Sequence, residues 1–148
     1  MAQPTIAQRM EQVIKTYIQA CNEADANAIA ACFCPDAVHY FPRHPGRTTW
    51  VGAATIGSNF AKIVQEQGVC WTVDQMLTDV DRCAAVLEWT RFNRHRDKLV
   101  RGVDWFVFEP RMISIQEIRC YTATPIHPDM VRQELLDFDY AGRGYPTA

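Results

Sequence analysis

The sequence lacks a long hydrophobic run. Its apolar stretches are short, such as residues 84–87, Ala-Ala-Val-Leu, whereas a membrane-spanning helix needs about 18–20 consecutive apolar residues. The first residues, Met-Ala-Gln-Pro, contain neither the basic nor the apolar region of a secretory signal. We therefore expect a cytoplasmic protein that has no membrane partner.

An excess of positive charge is also missing. Fifteen Lys and Arg residues stand against seventeen Asp and Glu residues, which leaves a formal net charge of −2. Proteins that bind DNA or RNA usually carry a basic patch that contacts the phosphates. We therefore expect no nucleic-acid partner.

The chain has six cysteines but no metal-binding spacing among them. Cys32 and Cys34 form the only close pair, and they lack the CxxC spacing of a zinc knuckle or a redox site. A reducing cytoplasm keeps thiols free, and each cysteine lies among apolar residues. We interpret all six as small buried hydrophobic side chains, and we expect neither a metal site nor an organic cofactor.

The 148 residues, 48% of them hydrophobic, have the size of one domain. Apolar residues at spacings of three and four predict helices over residues 5–20, 26–33 and 53–67. Asp25 is expected to cap the second helix, and Gly68 is expected to end the third.

Stretches rich in β-branched and aromatic residues predict the strands. They cover residues 36–41, 48–51, 69–77, 82–93, 99–109 and 113–122. The last four are joined by short polar gaps, which indicates antiparallel neighbours. We therefore expect an α+β fold over residues 1–124. Residues 125–148 are expected to form a tail with a short helix at 128–136, and this tail is predicted to cover the pocket mouth or a partner subunit.

Asp104 lies on a strand in which both faces are apolar. Alternation places it on the same face as Gly102, Phe106 and Phe108. A carboxylate in such surroundings either binds strong donors or has its pKa raised by desolvation. Asp104 is therefore a candidate for proton transfer or for a structural ion pair.

The turn at residues 94–98 is expected to bring the preceding strand beside Asp104. Trp89, Arg91 and Asn93 share one face of that strand. Arg91 can either pair with Asp104 or bind an anionic or carbonyl oxygen of a ligand. We expect Arg47, which lies in a loop, to be solvated.

Two further polar residues are expected at the core. His39 and Phe41 point to the same side of the first strand, where His39 is either a satisfied histidine or a functional one. Tyr17 lies on the apolar stripe of the first helix, so its hydroxyl needs a partner.

Several motifs together resemble those of one superfamily. They are VIKTY at residues 13–17, NEAD at 22–25, DAVHYFP at 36–42, GVDWFVF at 102–108 and IQEIRCY at 115–121. In order and spacing they resemble the nuclear transport factor 2-like superfamily, in the branch of ketosteroid isomerase, SnoaL-like polyketide cyclases and small dehydratases. The resemblance covers residues 10–122. It implies a cone-shaped α+β barrel, in which a strongly bent antiparallel sheet wraps three N-terminal helices around a deep apolar pocket.

The resemblance also implies roles for individual residues. Tyr17 resembles the isomerase tyrosine that donates to the substrate oxygen, and Asp104 resembles the buried acid beside it. The isomerase general base falls at Phe41, so His39 is the replacement base suggested here. Arg91 falls where an apolar residue lines the isomerase pocket, which indicates a substrate with more oxygens than a steroid. The flat pocket walls are expected to include Trp50, Trp71, Trp89 and Phe106, with Asn93 nearby.

These features predict a cofactor-independent lyase or isomerase. It would act on a small oxygenated cyclic or aromatic molecule by dehydration, isomerisation, cyclisation or retro-aldol cleavage. Two alternatives remain, a non-catalytic ligand-binding or association domain and an epoxide hydrolase of the limonene type. We also expect a homodimer, formed through the apolar outer strip of Val103, Trp105 and Val107.

Overall fold

The computed structural model describes residues 2–95, 98–123 and 134–146. The helices in these ranges are α1 (Ile6–Asn22), α2 (Ala26–Ala31) and α3 (Ala53–Gln67). The strands are β1 (Phe33–Tyr40), β2 (Trp50–Val51), β3 (Val69–Asp79), β4 (Ala84–Asn93), β5 (Lys98–Glu109) and β6 (Ser114–Thr122). No helix among the described residues is long and apolar enough to cross a membrane.

Local capping signals determine where the helices begin and end. Asp25 accepts a hydrogen bond from the backbone N–H of Ala28 at 2.9 Å, which confirms it as the cap of α2. Gly68 ends α3 in the left-handed conformation at φ 62°, which glycine adopts without steric cost. Helix α2 ends before the predicted residue 33 because Phe33 instead begins β1 and pairs with Ile115 of β6.

The six described strands form one sheet in the order β2-β1-β6-β5-β4-β3. The predicted antiparallel meander of β3 to β6 is confirmed. The predicted α+β fold of three helices on one bent sheet is confirmed, with two details added: β1 and β6 pair in parallel, and the sheet is not closed between β2 and β3. Register shifts interrupt three of the strand pairs, and such bulges bend a sheet.

The hydrophobic core lies between the helices and the inner face of the sheet. Met10 and Ile14 of α1 and Ile56 of α3 pack with Leu87 and Phe106 of the sheet, and all five are fully buried. The outer strip of β5 is less covered, since Trp105 is exposed and Val103 and Val107 are half-buried. Homodimerisation through this strip stays a prediction.

The described part of the tail packs beside β1 and over the outer face of the sheet. Leu135 forms a β-bridge with Pro42, and the Leu136 N–H donates to the Phe41 carbonyl at 2.9 Å. The predicted helix at 128–136 lies mostly outside the described residues. Its described end, residues 134–136, forms this bridge because the chain continues the hydrogen bonding of β1 beyond Tyr40. The domain boundary at residue 124 stays a prediction.

Candidate active site

A cavity of about 340 Å³ opens between α1, α3 and the inner face of the sheet. This volume is near the lower end of the range of about 300–1,000 Å³ found for small-molecule sites. Its aromatic walls are Phe41, Trp50, Phe60, Trp71 and Trp89. Its ionisable nitrogen and oxygen groups are Tyr17, His39, Arg47, Arg91, Lys98 and Asp104. The cavity therefore joins flat apolar surfaces to a small set of charged and polar groups.

Asp104 is the one carboxylate among the described lining residues. Strand β5 places it opposite Leu87 of β4 and Cys120 of β6, and its side chain is 6% exposed. Burial raises its pKa to about 7, and the nearby Trp89 and Cys120 side chains offset only part of that rise. Its Oδ1 and the Trp89 Nε1 both lack a partner at hydrogen-bonding geometry among the described residues. This carboxyl can therefore gain or lose a proton near neutral pH.

Gly102 makes room for the Trp89 ring beside Asp104. Gly102 pairs with Trp89 across β4 and β5, and a Cβ atom at residue 102 would overlap the indole. Glycine inside a strand commonly marks such a close approach. The indole can therefore lie across β5 and cover the carboxyl.

Tyr17 reaches the same region from α1. Its ring makes edge contacts with Phe33, Phe60 and Phe106 at centroid distances of 5.3–6.1 Å. Burial raises the pKa of its hydroxyl well above the usual value, and neighbouring negative charge on Cys21 and Asp104 adds to the rise. The phenol therefore keeps its proton and can act as a hydrogen-bond donor.

His39 stacks on Phe41, with ring centroids 4.1 Å apart and an interplanar angle of 15°. Burial lowers its pKa to about 3, and the positive charge of Arg47 contributes to this shift. The imidazole is therefore neutral at physiological pH, and a conjugate acid with so low a pKa makes it a weak general base. The suggestion that His39 replaces the missing base stays a prediction.

Arg91 extends from β4 into the cavity without forming an ion pair with Asp104. Burial lowers its pKa, and the positive charge of Arg47 lowers it further. Arg47 is exposed, and its guanidinium lies 5.0 Å from the centre of the Phe41 ring. The expectation that Arg47 is solvated agrees with this exposure, and the ring contact also places the side chain at the cavity.

The structure brings most of the residues suggested by the sequence into this one cavity. They are Tyr17, His39, Phe41, Trp50, Trp71, Trp89, Arg91 and Asp104. Phe106 does not line it, because its ring is fully buried beneath Tyr17. Asn93 does not line it either, although it pairs with Lys98, which does. The catalytic roles of these residues stay predictions.

Sequence reasoning missed several lining residues. Phe60 of α3 and Lys98 of β5 face the cavity, as do the thiols of Cys21 and Cys120. Two of them could have been found from the sequence. Phe60 lies on the apolar stripe of α3, and alternation along β5 places Lys98 on the same face as Asp104. No three His, Cys, Asp or Glu side chains of the described ranges are grouped so as to hold a metal ion.

Comparison with known proteins finds relatives of the whole chain. A family model described as a SnoaL-like domain matches residues 14–114. A protein of unknown function with a cystatin-like fold from Methylobium petroleophilum is 42% identical, over 98% of this chain and 96% of its own, with a TM-score of 0.90. No curated protein matches the sequence.

More distant structures share the fold. An NTF2-like protein of unknown function from Mesorhizobium loti is 12% identical over 83% of this chain and 98% of its own, with a TM-score of 0.67. SalBIII, an epoxide hydrolase/cyclase-like enzyme with a role in pyran ring formation in polyether salinomycin, is 18% identical over 79% of this chain and 92% of its own, with a TM-score of 0.63.

Proposed function

The chain belongs to the SnoaL-like domain family of the NTF2-like superfamily, and from this premise we propose that it is an acid-base enzyme that works without a cofactor. The reaction is of the lyase or isomerase type, namely dehydration, double-bond isomerisation, cyclisation or retro-aldol cleavage. The substrate is a small oxygenated cyclic or aromatic molecule. The observation that supports this best is Asp104, a carboxyl buried in the cavity with no cation paired to it and with a pKa of about 7.

Asp104 acts as the proton carrier. Its carboxylate removes a proton from the carbon next to a substrate carbonyl, and the electron pair moves onto the carbonyl oxygen to form an enolate. The protonated carboxyl then returns that proton either to a leaving hydroxyl, which departs as water, or to another carbon, which shifts the double bond. A pKa near the working pH favours both transfers in the same site.

Tyr17 stabilises the oxygen on which negative charge develops. Its hydroxyl lies close enough to Asp104 for the carboxylate charge to raise its pKa, so it can donate to an oxygen of a substrate held against Asp104. A donor of this kind is worth most where water is excluded, and α1 holds the ring among three other aromatic side chains.

The two alternative functions make different demands on the cavity. A limonene-type epoxide hydrolase needs two carboxylates linked by an arginine, whereas the described lining residues contain only Asp104, which Arg91 does not contact in an ion pair. A binding domain has no need for a proton carrier, so the replacement of Asp104 by asparagine separates binding from catalysis.

The proposal is tested with 5-nitrobenzisoxazole, a small aromatic probe whose ring opens when a base removes its proton. We expect the purified protein to accelerate this opening and Asp104→Asn to lose about 10²–10⁴-fold of the rate, as is typical for a general base. Glu88→Gln is the matched control, because Glu88 is exposed on the other face of β4. Equal rates for the wild-type protein and Asp104→Asn would contradict the proposal.

A second measurement addresses the substrate class. In D2O, cyclic and aromatic hydroxy-ketones are expected to exchange the proton next to their carbonyl in the presence of the wild-type protein and not of Asp104→Asn. Proton NMR follows both exchange and loss of water. Binding of these compounds without exchange by the wild-type protein would favour a non-catalytic binding domain.

A further inference from the structure

The cavity contains three cations with no anionic partner. Arg47, Arg91 and Lys98 all line it, and none forms an ion pair or side-chain hydrogen bond within the described ranges. Elsewhere in the fold arginines do find carboxylates, as Arg43 does with Glu134 and Arg143 with Glu117. Arg47 and Lys98 are exposed to solvent, whereas Arg91 is half-buried, so Arg91 is the cation of the three for which the lack of a partner matters most.

Arg47 and Arg91 repel each other, and a bound anion would relieve this repulsion. Arg91 is half-buried, and removing a guanidinium from water without a partner is unfavourable. The charge of Arg47 adds to this cost, because it lowers the pKa of Arg91. Like charges that share a site in this way are stabilised when an opposite charge lies between them.

Arg91 and Asp104 leave the inner face of the sheet at different points. Asp104 is paired with Leu87, and Arg91 lies four residues further along β4 on the same face. At a rise of about 3.3 Å per residue, Leu87 and Arg91 are about 13 Å apart along β4, and Trp89 lies between them. Arg91 and Asp104 can therefore contact different parts of one bound molecule.

We propose that the substrate carries a carboxylate that binds between Arg47 and Arg91, while the atom that exchanges its proton lies against Asp104. This proposal rests on the proposed function, and it names the class of molecule as a small cyclic or aromatic acid. Guanidinium groups match a carboxylate in plane and in hydrogen-bond spacing. The aromatic walls fit a ring between the two ends. A phosphate dianion would lose more hydration in so apolar a cavity.

Binding of benzoate and of benzamide, two probes of nearly equal shape, tests the carboxylate. Calorimetry at pH 8 reads their affinities, and Trp50, Trp71 and Trp89 provide a fluorescence signal in the cavity. We expect benzoate to bind at least about tenfold more tightly than benzamide, as one charge-assisted hydrogen bond allows. Arg91→Gln is expected to remove most of this preference, and Arg47→Gln part of it.

Arg43→Gln is the matched control. Arg43 lies in the same loop as Arg47 but pairs with Glu134 outside the cavity, so this variant is expected to keep the preference for benzoate. Equal affinities for the two probes, no benzoate binding at millimolar concentration, or an undiminished preference in Arg91→Gln would overturn the proposal. Tighter binding of phenyl phosphate than of benzoate would overturn the choice of a carboxylate. The readout is a ratio of affinities, so the carboxylate proposal can fail while proton transfer at Asp104 is observed. Proton transfer can likewise fail while the preference for benzoate is observed.

Discussion

Two carboxylates on neighbouring strands have opposite surroundings. Glu117 of β6 receives a hydrogen bond from Arg119 Nε at 2.5 Å and two from Arg143 at 2.9 and 3.0 Å. Burial alone would raise the pKa of Glu117, but these two arginines outweigh it and lower the pKa. Asp104 of β5 faces the cavity with no arginine paired to it, and its pKa rises to about 7.

The contrast separates a carboxylate that stabilises the fold from one that we propose carries a proton. On the outer face Glu117 is paired with Arg119 and with Arg143, which the tail supplies. On the inner face Asp104 lacks a cation, while Arg47 and Arg91 lack an anion. Charges kept unpaired at a cost in stability are typical of sites that bind or transform a ligand.

The largest stability effect is expected for Asp104→Asn. Because the pKa of Asp104 is raised, the folded state binds its proton more tightly than the unfolded state does. The protonated carboxyl therefore contributes fully to the unfolding free energy below about pH 4, and this contribution is lost as the pH rises through about 7. The unfolding free energy of Asp104→Asn, relative to that of the wild-type protein, should therefore rise by about 1.4 kcal/mol per pH unit between pH 5 and 7, or about 3 kcal/mol in all. Urea unfolding at pH 5 and pH 8 measures the change.

His39 provides an internal check on that profile. Its lowered pKa of about 3 makes the folded state bind its proton less tightly than the unfolded state. Its contribution is therefore present above about pH 6.5 and is lost as the pH falls towards 3. Asp104→Asn should leave this acid-side loss intact. A constant stability difference between Asp104→Asn and the wild-type protein from pH 5 to 8 would remove the contrast with Glu117.

A smaller effect of the opposite sign is expected for Glu117→Gln. The Glu117 side chain is 12% exposed, and its loss leaves Arg119 and Arg143 without their acceptor. We expect the unfolding free energy to fall by about 1–3 kcal/mol at pH 7, with benzisoxazole opening unchanged. Arg111→Gln, on an exposed turn, serves as the control for the loss of one charge. A stability gain in Glu117→Gln would mean that its ion pairs do not stabilise the fold.

The smallest effect is expected for Asp74→Asn. Asp74 of β3 accepts hydrogen bonds from Thr72 and Thr90, each at 2.6 Å, and these hydroxyls lower its pKa. Because Asp74 is exposed, solvent screens its charge. Asp74→Asn should therefore lower the unfolding free energy by less than about 1 kcal/mol. Thermal unfolding at pH 7 measures it. A loss of stability as large as that of Glu117→Gln would show that burial does not determine how much each carboxylate contributes to stability.

The sequence was most informative where neighbours along the chain decide the structure. The residue range of α3 matches its prediction, because Gly68 ends the helix through its own backbone conformation. The β3 to β6 meander follows from its short turns, and alternation places Asp104 on the inner face. These features depend on contacts close in sequence.

Other features depend on distance in three dimensions. The parallel pairing of β1 with β6 joins segments about 80 residues apart, and no local pattern specifies it. Alternation gives the face of a side chain but not its depth, so Phe106 was expected in the cavity and lies beneath it. The position of Arg47 depends on a loop that folds back over Phe41, which composition alone cannot indicate.

The most direct measurement is the titration of the Asp104 carboxyl itself. Carbon-13 NMR of protein labelled at the aspartate Cγ, with Asp104→Asn to assign the signal, follows its protonation between pH 3 and 9. We predict a midpoint near pH 7, because the buried carboxyl has no cation to stabilise its charge. A midpoint near pH 4, as in an exposed aspartate, would contradict the assignment of Asp104 as the proton carrier.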